Sequence, residues 1–323
     1  MTNPIPRLRF AHLPTALEAL PRVSAALGGS KILVKRDDQT GLAFGGNKTR
    51  KLEFIIAEAI AHGARTLVTV GAAQSNHCRQ TAALAARLGL RCIVVLSGEP
   101  EAQPSGNILL DTLLGAEIVW TAPEARDETF QAVFSQAWEE GRRPYRIPLG
   151  ASNSLGALGY EAAFAELMAQ AREPIDAIVV ASSSGGTQAG LLLGARRAGW
   201  AGRLVGVSID RPADELCTLV AGLASEAADR MGAPETFQAG EVDVVDAYRG
   251  AGYGMAGAPE REALELFARL EGLVLDPVYT GRAAAGLIDM TRHGVFPSGQ
   301  TVVFWHTGGG PALFAEKYRG LLA

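Results

Sequence analysis

The sequence predicts an α/β fold built on doubly wound parallel sheets. Short runs rich in valine and isoleucine alternate with longer segments in which apolar residues recur at helical spacing. Glycines such as Gly63 and Gly89 follow the helical segments and mark their ends. Strands that alternate with helices in this way are typical of parallel sheets. A chain of 323 residues is long enough for one or two domains of this kind.

The predicted elements fall into two runs that are separated by the polar segment 150–154. In the first run we predict strands at 31–35, 66–70, 92–96, 117–120 and 145–148, and helices at 48–62, 77–88, 107–114 and 129–140. In the second run we predict strands at 177–181, 204–208 and 300–305. Its predicted helices are 155–171, 188–198, 213–231, 259–271, 282–293 and a last one that opens within 306–311.

Composition restricts the class of protein. Apolar residues make up 48% of the chain and charged residues 20%, which is typical of a globular protein with a large core. The net charge of -4 argues against binding to nucleic acid or to an anionic membrane, because both need a basic face. We find no stretch of about 18 uncharged apolar residues that would predict a membrane span.

Cysteine usage indicates a reducing compartment, and histidine usage indicates no metal site. The three cysteines are an odd number and form no Cys-x-x-Cys pair, so no disulfide framework is expected. The five histidines show no metal-ligand spacing. Residues Met1 to Phe10 lack the apolar core of a signal peptide. We therefore expect a cytoplasmic enzyme or binding protein with no bound metal.

The segment Gly45-Gly46-Asn47-Lys48-Thr49-Arg50-Lys51-Leu52-Glu53 is the strongest functional signal. Two glycines allow the backbone to approach a ligand, and Lys48 lies where a helix is predicted to begin. A lysine amine can form a Schiff base when burial or a neighbouring cation lowers its pKa, and Arg50 and Lys51 are adjacent cations. The alternative is a basic first helical turn without further function.

Four loops, each predicted to follow a strand and precede a helix, are candidates for a shared ligand site. The carboxyl ends of strands in open parallel sheets are where ligands bind. The loops are 74–76, 182–187, 279–280 and 307–309.

The loop Ser182-Ser183-Ser184-Gly185-Gly186-Thr187 has the composition of a phosphate site. Backbone N–H groups at a helix start, together with hydroxyl groups, suit an anion. Asp210 lies at a suitable distance for the acidic residue of a dinucleotide-binding motif. The glycines, however, do not match Gly-x-Gly-x-x-Gly, so a nicotinamide cofactor is disfavoured. A structural turn that binds no ligand remains an alternative.

Other candidate residues also have structural alternatives. Ser75 and Asn76 are good helix N-caps, but they could also bind a carboxylate or a cofactor oxygen. Tyr253 and Tyr279 could pack with their hydroxyl groups in water, and His306 could be a structural histidine. A Schiff-base lysine, a phosphate loop, a tyrosine for ring stacking and a hydroxyl for a pyridine nitrogen are together what pyridoxal 5'-phosphate needs.

Four motifs resemble the fold type II pyridoxal-phosphate enzymes of the aminocyclopropane-carboxylate (ACC) deaminase and D-cysteine desulfhydrase family. The motifs are 45–53, 71–80, 275–281 and 306–313, and the similarity extends from Arg9 to Phe314. The resemblance implies a large cofactor domain made of 1–50 and 156–323, a small domain at 51–155, and a homodimer.

The same resemblance implies a role for each candidate residue. Lys48 would carry the cofactor and move the Cα proton, and Tyr279 would lie against the pyridine ring. Ser75, Asn76 and His77 would hold the substrate carboxylate and the phenolic oxygen of the cofactor. Thr307 would bond the pyridine nitrogen. The phosphate would be held by Ser183, Ser184, Gly185, Gly186 and Thr187; Asn47 would also contact the cofactor, and Tyr253 and Thr280 would line the substrate pocket.

The resemblance also suggests a reaction on a small amino acid. ACC deaminases have glutamate and leucine where this chain has Thr280 and Thr307. A hydroxyl group leaves the ring nitrogen neutral, which is adequate for the loss of a good β leaving group. We therefore expect α,β-elimination of D-cysteine to pyruvate, ammonia and hydrogen sulfide. The alternatives are an L-cysteate sulfo-lyase, an ACC deaminase, and a non-catalytic binder of a phosphorylated ligand.

Overall fold

The structure, a computed structural model, describes residues 5–321. Residues 1–4, part of the segment predicted to lack a signal peptide, and residues 322–323 of the predicted large domain lie outside the described residues. The strands are β1 (Leu17–Ala19), β2 (Lys31–Arg36), β3 (Thr66–Ala72), β4 (Arg91–Ser97), β5 (Glu117–Thr121), β6 (Pro144–Arg146), β7 (Ala177–Ser182), β8 (Arg203–Ser208), β9 (Asp243–Val245) and β10 (Thr301–His306). The helices are α1 (Pro21–Leu27), α2 (Lys48–Ala61), α3 (Asn76–Leu88), α4 (Gly106–Leu113), α5 (Arg126–Glu139), α6 (Ser154–Gln170), α7 (Gly186–Arg197), α8 (Ala213–Arg230), α9 (Ala258–Glu271) and α10 (Thr280–Arg292).

The strands form two separate sheets, which confirms the predicted α/β fold with two parallel-sheet domains. The larger sheet has the order β1-β2-β10-β7-β8-β9, and only its edge strand β1 is antiparallel to its neighbour. The smaller sheet has the order β5-β4-β3-β6, and all its pairs are parallel. Crossover helices join the parallel strands, as parallel pairing requires.

Helices cover both faces of the larger sheet, and strand β10 shows this arrangement. Side chains alternate along a strand, so Phe304 and Trp305 point to opposite faces. The ring of Phe304 packs on Phe267 of α9 with centroids 5.4 Å apart, and Trp305 packs on Tyr160 of α6 with centroids 5.8 Å apart. All six residues of β10 are buried. Such strands contain continuous apolar residues because neither face meets water.

Most predicted elements are confirmed, with three local differences. Strands β1 and β9 and helix α1 were missed, because three residues are too few to show alternation and seven are too few to show helical periodicity, although Pro21 and Gly28 mark the two ends of α1. The loop at 279–280 follows an irregular segment after α9, not a strand. Residues Gly310–Phe314 and Glu316–Tyr318 form short 3-10 turns where a last α-helix was predicted. Among residues 5–321, no helix has both the length and the apolar character needed to cross a membrane.

Candidate active site

A cavity of about 370 Å³ lies at the carboxyl ends of strands from both sheets. Ala72 and Ser97 end strands of the smaller sheet, and Ser182 ends a strand of the larger one. The cavity contains all the predicted site residues except Gly186 and Thr280. Those that line it are Asn47, Lys48, Ser75, Asn76, His77, Ser183, Ser184, Gly185, Thr187, Tyr253, Tyr279 and Thr307.

Lys48 is the first residue of α2 and presents its amine to this cavity. Its Nζ lies 2.9 Å from Asn47 Oδ1 and 6.0 Å from the centroid of the Tyr279 ring. Burial lowers the pKa of the Lys48 amine to about 8; Asp276 opposes this shift and Arg79 adds to it. A lysine with a lowered pKa is neutral often enough to act as a nucleophile near neutral pH.

The cation that lowers the pKa of Lys48 is Arg79, whereas the sequence suggested the adjacent Arg50 and Lys51. Arg50 points away from the cavity and is bound by Asp37 and Glu166. Arg79, from α3, is fully buried and donates to the Gly45 carbonyl at 2.8 Å. No local sequence pattern predicts this contact, because it joins two elements that are distant along the chain.

The predicted phosphate loop connects β7 to α7, and its last two residues form the start of the helix. Gly185 is the N-cap with a φ of 76°, a backbone conformation that favours glycine. The hydroxyl groups of Ser184 and Ser152 lie 2.7 Å apart. The helix N-terminus adds partial positive charge, so this loop suits an anion. We call residues 183–187 the phosphate loop.

Asn47 links the amine to the phosphate loop. Its Oδ1 accepts from Lys48 Nζ at 2.9 Å, and its Nδ2 donates to Thr187 Oγ1 at 3.0 Å. The backbone N–H of Asn47 donates to the Thr307 carbonyl at 3.0 Å. One side chain therefore fixes the spacing between the nucleophile and the anion site.

Lys51 brings a second buried amine next to the phosphate loop, a placement that the sequence did not predict. Its Nζ donates to the Gly150 carbonyl at 3.0 Å and to Ser152 Oγ at 2.8 Å. Burial, with Lys48 nearby, lowers the pKa of Lys51 well below its usual value. No carboxylate of residues 5–321 is paired with this amine. A Cβ on Gly186 would lie 2.9 Å from it, so the glycine leaves room for the lysine.

His77 is held in one tautomer. Its Nε2 lies 2.6 Å from Thr69 Oγ1, and the same hydroxyl lies 3.0 Å from the Ile147 carbonyl. Because a carbonyl only accepts, the Thr69 hydroxyl donates to it and accepts from Nε2–H. Burial lowers the pKa of His77 well below its usual value, so the ring is neutral and Nδ1 carries no proton. This buried Nδ1 has no partner among the described residues.

The structural alternative for Ser75 is confirmed, and the residue still lines the cavity. Ser75 is the N-cap of α3, and its Oγ accepts from the backbone N–H of Cys78 at 3.2 Å. Asn76 follows as the first residue of the helix. The start of α3 therefore presents both side chains and its free N–H groups to the ligand space.

Tyr253 and Tyr279 form a pair at the wall of the cavity. Their hydroxyl oxygens lie 2.8 Å apart, and their rings meet edge to face with centroids 6.0 Å apart. Burial raises the pKa of Tyr253 to about 12 and that of Tyr279 well above its usual value. Both hydroxyl groups are therefore neutral at physiological pH and can donate a hydrogen bond.

Two predicted contacts are not found. Thr280 is fully buried beneath the cavity, where its Oγ1 donates to Asp276 Oδ1 and accepts from the Asp276 N–H, each at 2.7 Å. It organises the turn before α10 and does not line the cavity. Gly186 also lies behind the wall, with its N–H donated to Ser184 O and Ser152 Oγ at 3.0 and 3.3 Å.

His306 confirms its structural alternative. It is buried behind the cavity, with Nε2 3.2 Å from the Val274 carbonyl and Nδ1 accepting from Gly308 N–H at 3.3 Å. Both ring nitrogens are used. Thr307, the next residue, is on the cavity wall.

The residues present fit pyridoxal 5'-phosphate. A buried amine, an anion loop and a second buried cation without a carboxylate partner lie around one cavity, and a phosphate dianion would supply the opposite charge that Lys51 lacks. The fold and the site thus define an enzyme that carries this cofactor. The chain belongs to the family described as pyridoxal-phosphate dependent enzymes, whose profile matches residues 8–308.

Solved structures agree with this assignment. The chain is similar to a protein described as an ACC deaminase homologue, with 36% identity over 96% of this chain and 94% of that one and a TM-score of 0.89. The fold is also shared with threonine deaminase isoform 2 from Solanum lycopersicum, at 16% identity, 93% and 80% coverage and a TM-score of 0.65. A pyridoxal 5'-phosphate-dependent aspartate racemase shares it at 19% identity, 91% and 90% coverage and a TM-score of 0.67. These findings confirm the predicted fold type II family and cofactor.

Proposed function

We propose that this enzyme catalyses α,β-elimination on D-cysteine, which with water gives pyruvate, ammonia and hydrogen sulfide. The observation that supports it is the Lys48 amine, with its pKa lowered to about 8, in one cavity with the phosphate loop and Thr307. When bound, pyridoxal phosphate supplies an electron sink for the charge that remains on Cα after deprotonation.

Within this proposal, each side chain has a stated task. Lys48 would hold the cofactor aldehyde through its amine, and the same amine would take the Cα proton of the bound substrate. Asn76 donates a hydrogen bond to the phenolic oxygen of the cofactor, and Ser75 and His77 contact the substrate carboxylate. Ser183, Ser184, Gly185 and Thr187, with Asn47 and Lys51, hold the phosphate. Tyr279 lies against the pyridine ring, Thr307 binds the pyridine nitrogen, and Tyr253 lines the substrate pocket.

Thr307 supports elimination over opening of a cyclopropane ring. A hydroxyl keeps a pyridine nitrogen neutral, and the weaker electron sink that results is adequate when a thiolate leaves. Thr280, the second residue that favoured this branch, does not reach the cavity. The preference over ACC therefore rests on Thr307, and the similarity to a protein described as an ACC deaminase homologue makes ACC a necessary test substrate.

A substrate panel tests the proposal directly. The purified holoenzyme is incubated with D-cysteine, L-cysteate, D-serine and ACC, and pyruvate, sulfide, sulfite and 2-oxobutyrate are measured. Sulfide and pyruvate in equal amounts from D-cysteine, at the highest kcat/KM of the panel, is the expected result. Turnover of ACC alone, or of none of the four, contradicts it.

Arg126 favours L-cysteate as a second candidate substrate. It is the first residue of α5 and lines the cavity, and its side chain is 34% exposed. A guanidinium at that wall can pair with a sulfonate, which is fully ionised at neutral pH, more strongly than with a neutral thiol. The reaction would then release sulfite in place of sulfide.

Replacing Arg126 with glutamine separates the two candidates. We expect kcat/KM for L-cysteate to fall about tenfold or more, because a charge-assisted hydrogen bond is lost, and kcat/KM for D-cysteine to change by less than about threefold. Sulfite and sulfide release are the measurements. Arg142→Gln, which removes a surface ion pair with Glu117, is the control. Equal losses for both substrates would show that Arg126 does not contact the β-substituent.

Lys51→Met tests the phosphate site without relying on turnover. We expect the variant to bind pyridoxal 5'-phosphate at least about tenfold more weakly, because a buried charged donor is lost, and to bind pyridoxal, which lacks the phosphate, almost unchanged. Binding to the apo-protein is measured by fluorescence. Lys31→Met, at an exposed ion pair with Glu173, is the control. A similar loss for both ligands would place Lys51 away from the phosphate.

The domain limits and the assembly also belong to this proposal. We place the large domain at 1–50 and 156–323 and the small domain at 51–155, so that one boundary falls inside α2 and the other inside α6. We further propose a homodimer in the cytoplasm. Sedimentation of the holoenzyme measures the assembly.

A further inference from the structure

Three residues with amide side chains lie at and behind the cavity wall, and hydrogen bonds to Asn107 join the other two to it. They are Gln74, Asn76 and Asn107, which we call the amide triad. Asn107 is the second residue of α4 and is fully buried, and the other two are less than 9% exposed. Asn76 alone of the three lines the cavity.

Backbone atoms fix which way each amide of the triad points. Asn107 Nδ2 lies 3.0 Å from the Gln74 backbone carbonyl, and a carbonyl can only accept. The atom of Asn107 at that position is therefore the NH2 nitrogen. The same nitrogen lies 2.9 Å from the side chain of Asn76, so the atom it meets there is Oδ1. The Asn76 NH2 group consequently faces away from Asn107.

The other end of the triad is fixed in the same way. The backbone N–H of Asn107, which can only donate, lies 2.7 Å from Gln74 Oε1. Gln74 Nε2 then donates to Glu101 Oε1 at 2.9 Å and to the Ser105 carbonyl at 3.0 Å, both of which are acceptors. A Cβ on Gly106 would lie 2.5 Å from Gln74 Oε1, so this close approach needs glycine. The orientation is thus imposed by the protein and not by a ligand.

We propose that Asn107 is a positioning residue that holds Asn76 as a hydrogen-bond donor toward the bound cofactor. The inference rests on the proposed function, in which Asn76 meets the phenolic oxygen. A donor at that position selects an ionised oxygen, which can only accept, over a neutral hydroxyl, which would also need to donate. Asn107 itself never touches the cofactor, because it is buried behind Asn76.

Asn107→Asp is the variant that tests this role most sharply. A carboxylate can accept but cannot donate, so Asn76 can satisfy it only by turning its NH2 group inward. The Asn76 carbonyl oxygen would then face the phenolic oxygen. We expect pyridoxal 5'-phosphate to bind the apo-protein about tenfold or more weakly, because one hydrogen bond is replaced by a repulsion between two acceptors. At fixed pH, the ratio of visible to near-ultraviolet absorbance of the bound cofactor should fall.

Controls separate positioning from loss of structure. Asn153→Asp makes the same chemical change at the N-cap of α6, where the side chain acts only as an acceptor, and should leave both measurements unchanged. If Asn107→Asp does not fold, as judged by circular dichroism, Asn107→Leu removes the donor without adding a charge and should give a smaller fall in the absorbance ratio.

The decisive measurement is made in an Asn76→Ala background. There, the Asn107 variant should cause no further change in the absorbance ratio, because its effect passes through Asn76. A further change of similar size would overturn the inference, as would an unchanged ratio in the Asn107 variant alone. If Asn76→Ala by itself leaves cofactor affinity and absorbance unchanged, the proposed role of Asn76 fails instead.

Discussion

Replacing Lys48 with alanine is expected to lower kcat by at least about a thousandfold, because the variant lacks both the amine that holds the cofactor and the base that takes the Cα proton. Sodium borohydride reduction of the loaded protein, followed by peptide mass measurement, should show the cofactor on residue 48 in the parent and on no lysine in the variant. Turnover is measured on the substrate that the panel selects.

The control for this variant is Lys31→Ala, which removes an exposed lysine paired with Glu173. It should retain full turnover and the same labelled peptide. Retained activity in Lys48→Ala, or a cofactor trapped on Lys51, would contradict the assignment of the nucleophile.

The pH dependence of cofactor attachment provides an independent test of the Lys48 environment. An amine must be neutral to attack an aldehyde, and burial lowers the pKa of Lys48 to about 8. The rate at which the apo-protein binds pyridoxal 5'-phosphate covalently should therefore rise with pH up to about 8 and then level off. A rate that still increases toward the ordinary lysine value of 10.5 would show that the amine is not desolvated.

Replacing Arg50 with methionine is expected to lower the free energy of unfolding by about 3–5 kcal/mol, because it leaves a buried carboxylate without its counter-charge. Arg50 Nη2 lies 2.8 Å from Asp37 and 2.8 Å from Glu166. Asp37 also accepts from the hydroxyl of Tyr160 at 2.6 Å and from Trp305 Nε1 at 2.9 Å. Urea unfolding of the holoenzyme measures the change.

The matched control is Arg269→Met, which removes an exposed pair with Glu265 and should cost at most about 1 kcal/mol. Similar losses in the two variants would mean that the buried cluster contributes no more than a surface pair.

The sign of the pH effect distinguishes loss of charge pairing from loss of packing. Burial alone would raise the pKa of Asp37, but the Arg50 guanidinium overcomes this and lowers it below 3.8. In the parent, the contribution of Asp37 is therefore present above about pH 4 and is lost only in stronger acid. Without Arg50 the pKa of Asp37 rises, and the folded state binds a proton more readily than the unfolded one. The difference in stability between parent and variant should thus shrink as the pH falls from 7 to about 5.

Local sequence signals predicted the sheets and the two principal parts of the site. The helix that begins at Lys48 and the loop after β7 can each be predicted from residues that are adjacent in the chain. Periodicity and glycines gave most of the strands and helices for the same reason. What these signals cannot encode is the partner that a residue meets across the fold.

The misses follow from this limit. Arg79 reaches Gly45, and Asn107 reaches Asn76, across separate elements, so neither pairing has a local pattern. Thr280 was placed in the pocket on the family resemblance alone, yet adjacent residues at a helix start point in different directions, and Thr280 turns inward to Asp276.

The first turn of α2 sends three basic side chains to three places. Lys48 enters the cavity, Arg50 joins the cluster around Asp37, and Lys51 binds Ser152, which contacts Ser184 of the phosphate loop. Each step along a helix turns the chain by about 100°. Deleting one residue within this turn would rotate the remaining basic side chains away from their partners. Catalytic activity, fold stability and cofactor binding would then be lost together. Anyone redesigning the enzyme must treat these four consecutive positions as one indivisible unit.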